Sequence, residues 1–269
     1  MTQETDGYRY DTVTMGLLMS DFAFAKGSAR SGDVFPDFEL TTTAGHTIRN
    51  SHFIGQRPLL LVFGSKTCPM TASSIAALKL LYEEFGDKVE FVTLNVREAH
   101  PAEHIPQPQN FEQKLENARA MKSELGIPWR VAVDDIDGTL HRALDPKPNA
   151  AYLVNNEGQI VFRSLWAGDE KSLRCALHDL TTGHLPTIPE STSTLAPLTR
   201  GIGFFDEVFH RAGPQAIRDM LKAAPPIAIA GQIAALFSRI SPSRRGAPAL
   251  LVLAVGVAGL ATGVMTWIS

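Results

Sequence analysis

A cysteine stands at the junction between a strand pattern and a helix pattern, and this junction constrains the fold more than any other part of the chain. Residues 59–63 are a short apolar run typical of a buried strand, and a segment with helical periodicity begins at Pro69. The residues 64–69, Gly-Ser-Lys-Thr-Cys-Pro, join the two. Proline suits the first position of a helix, because that position needs no N–H donor. We therefore predict a β-strand followed directly by an α-helix, with Cys68 at the helix start.

The predicted position of Cys68 favours a reactive thiol. The free backbone N–H groups and the partial positive charge at a helix start stabilise a thiolate. Lys66 adds a cation two residues away, and Ser65 and Thr67 offer hydroxyl groups to the sulfur or to a substrate. We predict a thiol pKa below that of free cysteine. The alternative is that Cys68 is a small buried apolar side chain, as most free cysteines are.

Strand and helix patterns alternate through residues 32–182, which predicts one α/β domain. The predicted strands are 37–40, 59–63, 90–95, 130–133, 151–154 and 160–163, and the predicted helices are 70–85, 111–125 and 170–180. An active residue directly after the first core strand is typical of a thioredoxin-like sandwich, in which helices flank a central mixed sheet.

The rest of the chain divides into four segments by composition. Residues 1–31 are an N-terminal extension without the basic and apolar regions of a signal peptide. Residues 183–203 are rich in Thr, Ser and Pro, which predicts an extended linker. Residues 204–246 predict an amphipathic helical region. Residues 247–269 carry no charge and would cross a bilayer as a helix.

We accordingly predict a single transmembrane helix at residues 247–269 that anchors the protein in the cell membrane. Arg244 and Arg245 precede the apolar segment, so the positive-inside rule predicts that the α/β domain faces the cytoplasm. Gly259 and Gly263 have the spacing of a small-xxx-small motif, which makes a homodimer a further prediction.

The charge and the cysteine content exclude two classes of protein. A net charge of −3 without a basic stripe argues against a nucleic-acid partner. Two cysteines, Cys68 and Cys175, are too few for a disulfide scaffold. Cys175 falls on the polar face of the last predicted helix, away from Cys68. We expect no bound cofactor, and an external thiol as the reductant for Cys68.

Two segments resemble those of the iodothyronine deiodinases. Residues 64–69 are similar to the active-site segment Gly-Ser-Cys-Thr-Sec-Pro of that family, with cysteine where selenocysteine would stand. Residues 96–101, Val-Arg-Glu-Ala-His-Pro, resemble the Glu-Glu-Ala-His-Pro segment of the family, which ordinary thioredoxins and peroxiredoxins lack. The likeness extends over residues 32–180 and implies a thioredoxin-like fold and reductive dehalogenation.

The resemblance also implies roles for individual residues. Cys68 would be the nucleophile, and Glu98 and His100 would handle protons beside it. Histidine titrates near neutral pH, and a nearby carboxylate raises its pKa, so the pair suits proton transfer. Pro148, before the strand at 151–154, matches a supporting position of the family. The implied partners are a small-molecule electrophile, such as a halogen on an activated ring, and a thiol reductant.

Three positions depart from the family pattern. Lys66 stands where deiodinases have a cysteine, so an internal thiol that could resolve an oxidised Cys68 is missing there. Pro108 and Ala150 stand where the family has a histidine and an arginine implicated in holding the iodothyronine. The sequence therefore supports the chemistry of the family and leaves the substrate open.

Two other functions stay open at this point. A one-cysteine, peroxiredoxin-like thiol peroxidase fits Ser65, three residues before Cys68, but Leu61 stands where a peroxiredoxin would have proline. A non-catalytic thioredoxin-like adaptor at the membrane would use the domain only as a binding surface. Peroxide consumption would identify the first of these alternatives.

Overall fold

The computed structural model describes residues 7–268, with the surroundings of side chains described up to residue 258. The strands are β1 (Glu39–Thr42), β2 (Thr47–Arg49), β3 (Leu59–Gly64), β4 (Glu90–Asn95), β5 (Arg130–Val133), β6 (Ala151–Val154), β7 (Ile160–Ser164) and β8 (Glu190–Ser191). The α-helices are α1 (Met15–Ser20), α2 (Pro69–Phe85), α3 (Phe111–Glu124), α4 (Thr139–Leu144), α5 (Glu170–Thr181), α6 (Leu195–Ile202), α7 (Phe205–Ala212), α8 (Pro214–Ala223), α9 (Pro225–Leu236) and α10 (Pro242–Ile268).

The strands form one mixed sheet in the order β2-β1-β5-β4-β3-β6-β7-β8. Strands β3, β4 and β5 are parallel neighbours, whereas β6 runs antiparallel to β3, and β7 antiparallel to β6. The β1–β2 hairpin adds to β5, and β8 pairs with β7. The predicted mixed α/β sheet of thioredoxin type is confirmed.

Strand β3 is the centre of the sheet and is buried on both faces. Leu60 and Val62 pack in one apolar core with α2, α3 and α5. Leu61 and Phe63 pack in a second core on the opposite face, together with Tyr152. Each of these large side chains contributes roughly 1.5–3 kcal/mol through its burial. A strand buried on both faces gives a continuous apolar run, which explains the pattern in the sequence.

The carboxyl ends of β3 and β4 lie side by side and position the site. Gly64 pairs with Asn95 at the end of the parallel ladder, and the N–H of Val96 donates to the carbonyl of Gly64 at 3.0 Å. A Cβ atom on Gly64 would lie 3.0 Å from the methyl group of Thr71, so the close packing of β3 against α2 favours glycine. The segments after both strands, 65–68 and 96–100, are therefore neighbours.

The segment 183–203, predicted as an extended linker, contains β8 and α6. The hydroxyl of Ser191 donates to the carboxylate of Asp169 at 2.5 Å. Helix α6 packs against α2, and Pro197 and Ile202 are buried. The polar composition of this segment is typical of a tether, but its structure depends on partners elsewhere in the chain, such as Asp169 and α2.

The helices that follow form a third apolar cluster beside the sheet domain. Residues 204–246 hold α7, α8, α9 and the start of α10, and Phe205, Phe209 and Met220 are among the buried side chains. The break between α7 and α8 falls at Gly213, whose φ of +130° favours glycine, followed by proline at the first position of α8.

The predicted transmembrane helix at residues 247–269 is wrong. Helix α10 begins five residues earlier, at Pro242, and its first turns pack against α6 and α9, with Ala249 fully buried. Gly246 lies so close to Thr199 that a Cβ atom on it would clash with the carbonyl oxygen of Thr199. Among the helices that the structure describes, none combines the length and the apolar character of a membrane span.

Part of the apolar pattern in this segment therefore reflects packing on protein. The Gly259 and Gly263 spacing, on which the homodimer prediction depends, falls where side-chain surroundings are not described, and residue 269 lies outside the described residues.

Candidate active site

Cys68 lies at the junction that the sequence predicts. It is the N-cap residue of α2, Pro69 occupies the first helical position, and the side chain is 2% exposed. A cavity of about 340 Å³ opens over it. Its walls include Cys68, His100 and Pro148, so the structure brings together three of the predicted site residues.

The predicted low pKa of Cys68 is wrong. Burial raises the pKa of the thiol to about 11. Hydrogen bonds from Thr71 and from the backbone of Met70 act in the opposite direction, as expected at a helix start, but they are weaker than the effect of burial. The nearby carboxylate of Asp21 raises the pKa further. Cys68 therefore rests as a neutral thiol at neutral pH.

Lys66 does not serve as the cation beside the thiol. Its Nζ atom forms an ion pair with Glu124 at 2.9 Å, and Glu124 also pairs with Arg211 at 2.7 Å. Lys66 thus links the segment before α2 to helices α3 and α7. The sequence could not reveal this partner, because Glu124 lies nearly sixty residues away along the chain.

Glu98 connects the two segments that carry the site. The N–H and the hydroxyl of Thr67 donate to its Oε2 at 2.9 and 2.8 Å, and Nδ2 of Asn117 donates to Oε1 at 3.1 Å. Gln107 holds the backbone of Glu98 through two further hydrogen bonds. Burial raises the pKa of Glu98. The carboxyl group therefore acts as a clamp between Thr67 and α3, and the predicted role in proton transfer has no support in these contacts.

Ser65 and Thr67 likewise hold the backbone. The Ser65 hydroxyl accepts a hydrogen bond from the N–H of Ala99 at 3.2 Å. The Thr67 hydroxyl accepts one from the N–H of His100 at 3.0 Å. Both hydroxyls fix the segment of His100 against that of Cys68.

His100 is buried in the cavity wall with an unused ring nitrogen. Its side chain is 8% exposed, and among the described residues Nδ1 has no hydrogen-bond partner. The ring of Phe209, from α7, packs on it at 4.8 Å between centroids. Burial lowers the pKa of His100 to about 4. The expectation that a carboxylate raises this pKa is wrong, because Glu98 is engaged with Thr67 and Asn117.

Pro148 and Cys175 occupy different parts of the molecule. Pro148 lines the cavity, and the next residue, Asn149, donates from Nδ2 to the carbonyl of Phe63 at 3.0 Å. That bond ties the Pro148 segment to the end of β3. Cys175 is exposed on α5, as its position on the helix predicts.

Asp21, which no motif in the sequence indicates, also lines the cavity. Its side chain is 9% exposed, and burial raises its pKa to about 7, against the opposing charges of Arg97 and Lys147. The feature of the sequence that could have indicated Asp21 is its position as a single carboxylate between the apolar residues of α1 and Phe22. Within the described residues, no group of three or more His, Cys, Asp or Glu side chains is placed to hold a metal ion.

The fold is that of a thioredoxin-like protein with a buried cysteine at the β3–α2 junction. A solved structure from Geobacillus kaustophilus, titled an uncharacterized conserved protein, is similar with a TM-score of 0.50 and 20% identity. The match covers 63% of this chain and 92% of that one, and it supports the fold alone.

The family model for iodothyronine deiodinase matches residues 18–172. The chain belongs to the iodothyronine deiodinase family, and the resemblance found in the sequence is confirmed. The family match contains Cys68, Glu98, His100 and Pro148, whereas α6 to α10 lie beyond it.

Curated relatives agree with this assignment. A thyroxine 5-deiodinase from Sparus aurata is 29% identical over 113 residues, which are 38% of this chain and 42% of the relative. A type II iodothyronine deiodinase from Fundulus heteroclitus is 29% identical over 143 residues, which are 49% and 52% of the two chains. The chain thus spans about half the length of these relatives.

Proposed function

We propose that this protein is a thiol-dependent oxidoreductase that removes a halogen from an organic substrate, with Cys68 as the nucleophile. The observation that carries the proposal is the shared cavity of Cys68 and His100. In it, a neutral thiol and an imidazole with an unpartnered nitrogen line one space of about 340 Å³. Membership of the deiodinase family supports the same chemistry.

The two side chains suit a transfer of one proton from sulfur to substrate. Both groups rest uncharged, because burial raises the pKa of the Cys68 thiol and lowers that of His100. When a substrate fills the cavity, the sulfur attacks the halogen atom while His100 accepts the thiol proton in the same step, so that no free thiolate has to form beforehand. An S–halogen bond forms while the carbon–halogen bond breaks, and its electron pair stays on carbon.

The proton then completes the step. The His100 imidazolium gives its proton to the carbon, so the products are the reduced substrate and a sulfenyl halide on Cys68. The substrate gains two electrons and the sulfur is oxidised by two. Atoms balance as R–X plus Cys–SH giving R–H plus Cys–S–X.

An external thiol restores Cys68. One thiol displaces the halide and forms a mixed disulfide, and a second thiol releases Cys68 as a free thiol. The products are a small disulfide and hydrogen halide. Lys66 at the position of the second family cysteine, and the exposed location of Cys175, support an external rather than an internal reductant.

The test is iodide release from 2-iodophenol with dithiothreitol as the reductant. The wild type and Cys175→Ser should release iodide, whereas Cys68→Ser should not. His100→Asn should lower kcat at least about 100-fold, because general acid–base catalysis typically contributes that much or more.

A second assay separates the proposal from the peroxidase alternative. Consumption of hydrogen peroxide by the wild type, without iodide release, would contradict the proposal. Equal iodide release by Cys68→Ser and the wild type would contradict it as well. Circular dichroism of each variant checks that it is folded.

A further inference from the structure

Helices outside the family match close the cavity over Cys68. Leu198 of α6, Phe205 of α7, Met220 of α8 and Ile227 of α9 line it. All four positions lie after residue 172, where the family match ends. About a third of the residues that line the cavity over Cys68 therefore belong to a part of the chain that follows the family match.

The wall of the cavity holds few ionisable groups. Of the described residues that line it, Asp21, Cys68 and His100 are the ones that titrate, and lysine and arginine are absent from it. Asp21 is negative when it is ionised, so it would repel the carboxylate of a substrate. A carboxylate moved into this space would lose hydration without gaining a cation, which disfavours its binding.

The cations nearest to the cavity are already engaged. The Arg97 guanidinium lies over the Tyr8 ring at 4.8 Å and donates to the Pro146 carbonyl at 3.0 Å. Lys147 donates from Nζ to the Ser20 carbonyl at 2.7 Å and lies 3.4 Å from Asp145. Recruitment of either cation by a bound anion would break these contacts.

The shape and the side chains of the cavity suit a small ring. A volume of about 340 Å³ is at the low end for pockets that bind small molecules. Trp166 and Phe22 meet edge to face at 5.9 Å in its wall, and Phe205 lines it as well. Aromatic walls of this kind stabilise apolar and aromatic ligands, because they bury the surface of the ligand and make contacts between rings.

We infer that this site takes a small, uncharged, apolar substrate, and that helices α6 to α9 impose this selectivity on the family site. The inference rests on the proposed function for the reaction at Cys68, whereas the class of ligand follows from the walls of the cavity. A matching substrate is an uncharged aromatic halide that places its halogen toward Cys68.

Two maleimides with the same reactive ring test the selectivity. N-phenylmaleimide is neutral, and N-(4-carboxyphenyl)maleimide differs from it by one carboxylate. The rate of modification of Cys68 is measured in Cys175→Ser, and that of the exposed Cys175 in Cys68→Ser. At Cys68 the neutral reagent should react at least about tenfold faster, which corresponds to 1.4 kcal/mol. At Cys175 the two rates should agree within about twofold, as expected for a solvated thiol.

A matched pair of lysine variants on α6 tests the role of the helices. Leu198 lines the cavity, whereas Leu195 on the same helix is 79% exposed. In Cys175→Ser, the further change Leu198→Lys supplies a cation at the wall, and should reduce the preference of Cys68 for the neutral reagent at least about fivefold. The change Leu195→Lys should leave that preference as it was.

Each result decides between two claims. Equal rates of the two maleimides at Cys68, or equal effects of Leu198→Lys and Leu195→Lys, would overturn the inference even if iodide release depends on Cys68. A strong preference for the neutral reagent without iodide release would contradict the proposed function and leave the selectivity of the cavity standing.

Discussion

Burial, rather than neighbouring charge, sets the ionisation of the groups around Cys68. It raises the pKa of the thiol to about 11, lowers that of His100 to about 4 and raises that of Asp21 to about 7. In each case a medium of low polarity disfavours the charged form. The helix start does stabilise a thiolate, but the effect of desolvation is larger.

The pH dependence of alkylation tests this balance at Cys68. Reaction of Cys175→Ser with iodoacetamide should keep accelerating from pH 7 to pH 10, because the thiol ionises above the ordinary value of about 8.5. Glutathione, measured in parallel, gives the profile of an unperturbed thiol. A plateau in the rate of Cys68 alkylation below pH 8.5 would show that the pKa of this thiol is lowered, as the sequence predicts.

Asp21→Asn tests the same effect through stability. The pKa of Asp21 is about 7 in the folded protein against 3.8 ordinarily, so the unfolded chain loses its proton first as pH rises. The free energy of unfolding therefore falls between about pH 4 and pH 7 through this group. Arg97 and Lys147 oppose the shift and Asp145 adds to it.

The variant should remove this penalty. The free energy of unfolding of Asp21→Asn, relative to that of the wild type, should rise by roughly 2–3 kcal/mol from pH 5 to pH 8, because each pKa unit is worth 1.36 kcal/mol. Urea unfolding at both pH values measures this change. A difference between the two proteins that does not change with pH would contradict the assignment.

At the scale of elements, the site depends on how the ends of β3 and β4 are joined. Glu98, after β4, accepts two hydrogen bonds from Thr67, after β3, and one from Asn117 of α3. Glu98→Ala should lower the free energy of unfolding by about 3 kcal/mol, because buried donors lose their acceptor. Glu98→Gln keeps the size and one acceptor, and should cost about half as much. Equal losses for both variants in urea unfolding would mean that packing, not hydrogen bonding, is what Glu98 provides.

The β3–α2 junction was predictable, whereas β8 and α6 were not. An apolar run, small residues and Cys-Pro identify the junction from local sequence alone. Strand β8 consists of two residues and exists through its pairing with β7, and α6 forms against α2. Both depend on residues far away in the chain, so their Thr, Ser and Pro content predicted a tether instead.

The burial of Cys68 was unpredictable for the same reason. The residues that cover it come from α1 and from α6 to α9, up to about 160 positions away. Cys68 and His100, which the family motif indicates, line one cavity. Their pKa shifts come from burial, and most of the helices that bury them, α6 to α9, follow the family region.

At the scale of the whole molecule, the C-terminal helices are fastened to the segment of His100. The Glu103 carboxylate accepts from the N–H of Gln215 and pairs with Arg218 at 2.7 Å, and the N–H of His104 donates to the Ala212 carbonyl at 2.9 Å. Movement of α7 or α8 would therefore change the surroundings of the His100 imidazole.

Phe209→Ala tests this connection. The ring of Phe209 covers His100, so its removal should admit water and raise the pKa of His100 from about 4 toward 6.5. An NMR titration of the histidine signals measures the shift, and His100→Asn identifies the signal. An unchanged pKa in a folded variant would show that α7 does not control the imidazole.

A single-turnover experiment without reductant tests whether Cys68 takes the halogen from the substrate. Wild-type protein is mixed with 2-iodophenol, the phenol formed is counted, and each cysteine is examined by mass spectrometry. We expect up to one equivalent of phenol per chain, with Cys68 oxidised, Cys175 unchanged, and no phenol from Cys68→Ser. Phenol formation by Cys68→Ser, or none by the wild type, would contradict the role of Cys68 as the nucleophile.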